Sequence, residues 1–344
     1  MRTVNLPKID ICLPVVGFGC SALMGGGRKN ALRLLETAFE AGVRHFDVAP
    51  SYGAGEAEGA LGSFLASHRS QVTITTKFGI QPAEQTASLR AAIHFARHVA
   101  RLVPLARRAL SRAAGTLHVT GVFGIESIKK GLETSLRELR TDYVDIFLLH
   151  EYTAGERNDD LLEFLEGAVR IGKIRYFGVG ATVERILNTT RVQPEFCQVV
   201  QFPNSVLDRN YRQFLYNPSA ICITHTALGD NYRRLLTFLT KDRTRLKRWS
   251  AEIGLNCADS DTLAALMLNY AVQANPNGLI LTSTKKPARL VRNVKAVLEP
   301  NVSSVQVSRF ADLVARNVSN MSPVPSGGYS VLRNSTRIDE KVGD

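Results

Sequence analysis

The sequence predicts a single (β/α)8 barrel, and three observations support this prediction. Over the 344 residues, apolar runs rich in Val, Ile and aromatic residues alternate eight times with segments of helical periodicity. Several runs end in a polar residue, and the carboxyl ends of parallel barrel strands meet on the face that carries the active site. No Gly-x-Gly-x-x-Gly motif follows a strand, which argues against an open Rossmann-type sheet.

The elements are predicted as follows. Residues 3–16, broken by Pro7 and Pro14, form a hairpin outside the repeat. The eight strands end at Gly19, Asp47, Lys77, His150, Gly180, Phe202, His225 and Thr282. Apolar stripes at helical spacing predict helices over 29–41, 56–66, 124–138, 160–171, 182–190, 261–274 and 287–298. A weak helix near 208–215 and an irregular, basic, partly helical region over 229–258 complete the pattern.

Two segments lie outside the repeat. Residues 80–122, after the third strand, are too long for an ordinary loop and are predicted to form a helical insertion. Its basic stripe over 90–112 is either a solvated face, a surface for an acidic partner or membrane, or a lining of the substrate entrance. Nucleic acid is not expected, because no aromatic residues are interleaved with the arginines. The barrel domain spans 1–316, and 317–344 form a loosely ordered tail.

Composition narrows the class of protein. Hydrophobic residues make up 44% of the chain and charged residues 22%, which allows a large core. The formal net charge of +12 favours anionic partners. The five cysteines are scattered without a Cys-x-x-Cys pair, so no disulfide framework or metal site is expected. Since no hydrophobic signal or bilayer-spanning segment is evident, the protein is expected to be cytoplasmic.

Four residues near predicted strand ends carry complementary chemistry: Asp47, Tyr52, Lys77 and His150. Each has an ordinary explanation when taken alone, as a turn residue, a packed ring, a solvated ammonium or a structural imidazole. Together they suit proton transfer to or from a carbonyl or hydroxyl oxygen. A neighbouring ammonium lowers the pKa of a phenol, and Asp47 would hold Lys77 in place beside Tyr52.

The motifs around these residues resemble the aldo-keto reductase family over about residues 14–300. The resemblance is carried by 46–53, Thr76-Lys77, 132–150, 172–180 and 198–204. It implies a (β/α)8 barrel and hydride transfer between NADP(H), or alternatively NAD(H), and a carbonyl or alcohol. It also implies that Tyr52 is the general acid/base, that Lys77 and Asp47 tune it, and that His150 orients the substrate.

The resemblance also implies a cofactor site. Gln201 matches the glutamine that grips the nicotinamide carboxamide, and His225 falls where an aromatic ring stacks on the nicotinamide. The family usually has Ser-Asn after the fifth strand, and this chain has Gly180-Ala181, which lack donor side chains. The segment resembling the adenosine-binding region includes Ser283, Thr284, Lys286, Arg289 and Asn293. Lys286 and Arg289 could pair with a 2′-phosphate, and Asn293 could meet the adenine.

The sequence therefore predicts an NADP-dependent aldo-keto reductase that acts on a small aldehyde, ketone or sugar. An NAD-dependent sugar dehydrogenase is the nearest variant of this prediction. The alternative is a weakly active or inactive relative that binds cofactor and serves as a regulatory or partner-binding subunit. The altered residues Gly180, Ala181 and His225 and the basic insertion motivate that alternative.

Overall fold

A computed structural model describes residues 2–8, 13–82, 118–121, 123–155, 158–214 and 220–321. Its strands are β1 (Thr3–Val4), β2 (Leu13–Pro14), β3 (Val16–Gly19), β4 (His45–Asp47), β5 (Thr73–Phe78), β6 (Ile80–Pro82), β7 (His118–Thr120), β8 (Val144–His150), β9 (Ile174–Gly180), β10 (Val199–Pro203), β11 (Ile221–His225) and β12 (Leu279–Thr282). Eight of them form a closed parallel barrel in the order β10-β11-β12-β3-β4-β5-β8-β9. The predicted fold class is therefore confirmed.

Helices cover the outside of the barrel. They are α1 (Arg28–Glu40), α2 (Ala57–His68), α3 (Ile125–Leu139), α4 (Asp159–Arg170), α5 (Val183–Val192), α6 (Asp230–Thr240), α7 (Arg243–Ile253), α8 (Ser260–Ala274), α9 (Pro287–Leu298) and α10 (Ser304–Asn317). Within the described ranges, no helix combines the length and the apolar composition that crossing a membrane requires.

The segments outside the repeat agree in part with prediction. The N-terminal hairpin is present as β1 paired antiparallel with β2. Where the structure describes the insertion at 80–122, its two ends are the antiparallel strands β6 and β7 rather than helix. The rest of the insertion, including the basic stripe over 90–112, lies outside the described residues, as do residues 322–344 of the tail.

Three helical regions differ from prediction. The weak helix near 208–215 is a 3-10 turn, Asn210–Phe214. The region 229–258, predicted to be irregular and partly helical, contains two regular helices, α6 and α7. Asp242 caps α7 by accepting bonds from the Thr244 and Arg245 amides. Helix α10, which the apolar pattern does not single out, begins at a capping box formed by Ser303 and Gln306.

The apolar interior forms two clusters. One fills the barrel and the layer beneath α1 to α5 and α9. The other joins α6, α7, α8 and α10 around Trp249, which is fully buried and meets Phe238 and Phe310 edge-on at ring-centroid distances of 6.1 and 6.5 Å. This second cluster holds an outer helical layer against the barrel.

Inside the barrel, register places the polar residues at defined levels. Asp47 lies beside Gly19 on β3 and Thr75 on β5, and Gln201 lies beside Gly180 on β9. Strands β4 and β10 are separated by three strands in each direction around the closed sheet, so they face each other across the interior. Side chains from these two strands can therefore meet at the barrel axis.

A buried histidine near the opposite end of the barrel predicts acid sensitivity. His45 is fully buried, with its Nδ1 2.9 Å from Thr73 Oγ1, and burial lowers its pKa from 6.5 to about 4. Because folding favours neutral His45, its contribution to stability is complete above pH 6.5 and is lost as pH falls through about 4. Chemical unfolding followed by circular dichroism should show a loss of stability over this window, to which His45 contributes on the order of 3 kcal/mol. The loss should shrink in His45→Gln, and an unchanged pH dependence in that variant would contradict the assignment.

Candidate active site

Tyr52 is held over the carboxyl end of the barrel by a tight turn. After Asp47 ends β4, the chain reaches a short 3-10 segment, Tyr52–Gly55, in which Gly53 and Ala54 adopt left-handed φ angles of 61° and 59°. A side chain at position 53 would overlap Met24, so glycine is required there for space as well as for conformation. The turn directs the half-buried Tyr52 ring back toward β5.

The structure brings Asp47, Tyr52 and Lys77 together. Lys77 Nζ donates to Asp47 Oδ1 at 2.6 Å, lies 3.2 Å from the Val48 carbonyl oxygen, and lies 3.3 Å from the Tyr52 hydroxyl. Lys77 and Asp47 are 1% and 3% exposed, so this ion pair is shielded from water. A buried charge pair with additional hydrogen bonds has a fixed geometry, which is what positioning a proton donor requires.

The pKa of Tyr52 differs in direction from the simple expectation. Burial raises it, the Lys77 charge lowers it, Asp47 opposes Lys77, and the net pKa lies above the ordinary value of 10.0. Burial tends to lower the pKa of Lys77, but the charge of Asp47 and the hydrogen bonds outweigh it and raise that pKa. At neutral pH the site therefore presents a protonated phenol beside an ammonium, which is an arrangement suited to donating a proton.

His150 ends β8 beside Tyr52. The two rings meet edge-on with centroids 6.4 Å apart. Burial, followed by repulsion from Lys77, lowers the pKa of His150 from 6.5 to about 3, so the imidazole is neutral at physiological pH. Its buried Nδ1 has no hydrogen-bond partner within the described part of the chain. A neutral imidazole at this position can donate or accept one hydrogen bond with a substrate oxygen.

A salt bridge that the sequence pattern does not reveal fixes the backbone after His150. Glu151 has a left-handed φ of 58°, which is uncommon for a residue with a side chain. Arg185, at the start of α5, donates to both the carbonyl oxygen and the carboxylate of Glu151, each at 2.9 Å. These contacts tie the end of β8 to a helix and so restrict the orientation of His150.

The residues expected at the nicotinamide end surround the same polar cluster. Gln201 Nε2 donates to Asp47 Oδ2 at 2.7 Å, and Gly180 lies beside Gln201 without a side chain. His225 is half-buried at the end of β11. Burial lowers its pKa from 6.5 to about 4, with Asp47 and Lys77 acting in opposite directions, so its ring lies within electrostatic reach of both. Ala181, the other altered position, is buried.

The residues expected at the adenosine end lie on the loop before α9 and on its first two turns. Ser283, Lys286 and Arg289 are exposed, whereas Thr284 and Asn293 are buried. The Thr284 hydroxyl accepts a bond from the Lys286 amide at 3.2 Å, and the Asn293 amide donates to Thr282 Oγ1 at 3.1 Å. Exposed cations at a helix N-terminus fit a phosphate group, because the free backbone amides there add to the positive field.

The candidate site thus has two parts, the polar cluster around Tyr52 and the exposed cations Lys286 and Arg289 near the start of α9. Among the residues that the structure describes, no group of three His, Cys, Asp or Glu side chains is placed to hold a metal ion. The arrangement can protonate an oxygen at Tyr52 and hold the same oxygen at His150. It also presents cations for a phosphorylated ligand at Lys286 and Arg289.

Comparisons with known proteins agree with this fold. The model of the aldo/keto reductase family matches residues 15–315. A Bacillus subtilis protein described as "Uncharacterized oxidoreductase YqkF" is 25% identical over 241 residues, which cover 69% of this chain and 67% of that protein.

Two solved structures share the fold. An aldo-keto reductase from Bacillus halodurans in its holo form superposes with a TM-score of 0.66 at 19% identity, covering 91% of this chain and 96% of that one. An aldo-keto reductase from Klebsiella pneumoniae in complex with NADPH gives a TM-score of 0.60 at 20% identity, covering 95% of this chain and 97% of that one. The closed barrel, the matched length and these relatives lead to one conclusion: the chain belongs to the aldo/keto reductase family of oxidoreductases.

Proposed function

We propose that this protein is an NADP-dependent oxidoreductase that transfers hydride between the nicotinamide and a small aldehyde, ketone or sugar, with Tyr52 as general acid/base. The observation that supports this most directly is the Tyr52 hydroxyl 3.3 Å from the buried Lys77 ammonium, beside the His150 ring. The family membership supplies the class of reaction. NAD is the alternative cofactor.

The chain's own residues account for the proton side of the reaction. When bound, the cofactor would supply the hydride for the carbonyl carbon, and the carbonyl oxygen would take up the two electrons of the C=O π bond. Tyr52 then gives its proton to that oxygen and is reprotonated from solvent. Neutral His150 donates a hydrogen bond to the same oxygen and so orients it. Lys77 stabilises the phenolate that Tyr52 becomes, and the reverse sequence oxidises an alcohol.

The residues present fit a phosphorylated dinucleotide. The exposed side chains of Lys286 and Arg289 would hold a 2′-phosphate at the start of α9, with Ser283 and Thr284 on the preceding loop. Near the nicotinamide, Gln201 and His225 would contact the ring and its amide. Since Gly180 and Ala181 offer no side-chain donors, Gln201 is the amide side chain that would meet the nicotinamide carboxamide.

Removing a side chain proposed to bind the 2′-phosphate should weaken the binding of NADPH but not that of NADH. We expect Arg289→Ala to raise the Kd for NADPH about tenfold, because a charge-assisted hydrogen bond contributes about 1.5–3 kcal/mol. The Kd for NADH should change less than about twofold. Lys295→Ala, which removes an exposed cation two turns later on α9, is the matched control and should change neither value. Isothermal titration calorimetry checks this, and equal losses for both cofactors would contradict the assignment.

Steady-state absorbance of NADPH with a panel of aldehydes, ketones and aldoses, followed in both directions, tests the proposed function. Turnover with any of these substrates supports it. The absence of side-chain donors at Gly180 and Ala181 favours one other candidate, a regulatory or partner-binding protein that retains cofactor affinity. Tight NADPH binding without measurable turnover on the panel would favour that candidate and contradict ours.

A further inference from the structure

Gln201 makes a contact that cofactor binding does not require. Its Nε2 donates to Asp47 Oδ2 at 2.7 Å, while the other carboxylate oxygen, Oδ1, accepts from Lys77 Nζ at 2.6 Å. Lys77 then reaches the Tyr52 hydroxyl at 3.3 Å. Three consecutive contacts thus join Gln201 on β10 to the proposed proton donor, and each oxygen of Asp47 has its own donor.

The contact between Gln201 and Asp47 crosses the barrel. Their strands, β10 and β4, lie opposite each other in the closed sheet. Each residue has a glycine as its register partner on one side, Gly180 for Gln201 and Gly19 for Asp47. A Cβ at position 180 would lie 3.5 Å from Gln201 Oε1, so a side chain there would contact the Gln201 amide. Both residues of the bridge therefore have a register neighbour without a side chain.

Burial makes the bridge difficult to replace. Gln201, Asp47 and Lys77 are 4%, 3% and 1% exposed. When water is excluded, a carboxylate oxygen that loses its donor stays unsatisfied, and the group can turn away from its remaining partner. The orientation of Asp47, and through it that of Lys77, therefore depends on Gln201.

We propose that Gln201 is a positioning residue of the proton-transfer group, which acts through Asp47 to hold Lys77 against Tyr52. This inference rests on the proposed function and deepens it. It differs from the role that the family resemblance implies, in which Gln201 grips the nicotinamide carboxamide. With Nε2 bound to Asp47, only Oε1 remains for that amide.

The groups around Tyr52 give the direction of the expected effect. They are Lys77 on β5, Asp47 on β4, Cys20 after β3 and the neutral His150 on β8. His225 on β11 adds no charge at neutral pH, since its pKa is about 4. Burial raises the pKa of Tyr52 most, Lys77 lowers it, and Asp47 and Cys20 raise it. The Gln201 amide offsets the negative charge of Asp47, so its removal should raise the pKa of Tyr52 further.

Gln201→Leu tests the inference, with the holoprotein assayed in alcohol oxidation. The rate of oxidation rises with pH as Tyr52 loses its proton. We expect this rising limb of the pH–rate profile to move to a pH about one unit higher, and kcat at pH 7 to fall about tenfold. The Kd for NADPH is measured in parallel, because Gln201 Oε1 is the atom left to contact the carboxamide. Gln198→Leu, the same substitution just before β10 at the other end of the barrel, is the matched control and should leave the limb in place.

A double-mutant cycle separates the two roles of Gln201. If it acts through Asp47, adding Gln201→Leu to Asp47→Asn shifts the titration of Tyr52 no further. NMR of ¹³C-labelled tyrosine, assigned with Tyr52→Phe, reads this titration without requiring turnover. An additive shift in the double variant, or a tenfold rise in the NADPH Kd with the limb unmoved, would overturn the inference. A wild-type protein without turnover would overturn the proposed function alone, because the NMR titration still decides the role of Gln201.

Discussion

Tyr52→Phe is expected to reduce kcat by about 10²- to 10⁴-fold, the usual contribution of a general acid/base. The substitution removes only the hydroxyl that lies 3.3 Å from Lys77, so the ring still fills the turn over the barrel. Cofactor affinity should remain within about threefold, since none of the adenosine-end residues is altered. Steady-state kinetics combined with calorimetric NADPH titration measure both quantities on the same preparation.

The control for this variant is Tyr176→Phe. The Tyr176 hydroxyl accepts a bond from the Lys8 amide at 2.8 Å near the opposite end of the barrel. The control therefore removes a hydroxyl from the same barrel without touching the proposed site, and kcat should be retained. Full activity in Tyr52→Phe would show that another group donates the proton, whatever the control does.

Lys77→Met is expected to lose both turnover and stability. The variant leaves the buried Asp47 carboxylate without its cation, and breaking a buried ion pair from one side costs about 3–5 kcal/mol. It also removes the charge that stabilises the Tyr52 phenolate, so kcat should fall by at least about 10²-fold. Urea unfolding followed by circular dichroism, and turnover under native conditions, measure the two effects separately.

Adding Asp47→Asn to Lys77→Met should separate stability from catalysis. The double variant no longer buries an unpaired charge, so much of the lost free energy of unfolding should return. Turnover should stay low, because the ammonium next to Tyr52 is still missing. Recovery of turnover together with stability would show that Lys77 has only a structural role.

The sequence predicts the placement of the proton-transfer group because each member stands near the carboxyl end of a recognisable apolar strand. Asp47, Lys77 and His150 end or nearly end β4, β5 and β8, and parallel strands bring such positions together. Other features depend on distances through space that periodicity does not encode. The bridge from Gln201 to Asp47 joins two strands that face each other across the closed barrel, and the net pKa of Tyr52 depends on how deeply a loop is buried.

The sequence predictions that were wrong for the outer helical layer have a different physical origin. Helices α6 and α7 occupy a basic stretch whose apolar stripe is interrupted, so the sequence suggests irregular structure. Their limits are set instead by the Asp242 cap and by packing around Trp249. Helix α10 likewise begins after its N-cap Ser303 and is stabilised by that same packing. Where intrinsic helix propensity is weak, tertiary contacts thus determine which segments form helices.

The position of Trp249 gives the chain a built-in optical probe. It is the only tryptophan in the sequence and lies in the outer helical cluster rather than in the barrel interior. Intrinsic tryptophan fluorescence therefore monitors the loosening of that peripheral layer, whereas far-ultraviolet ellipticity averages over the whole molecule. Denaturation curves from the two signals that fail to coincide would reveal that the periphery melts in a transition of its own.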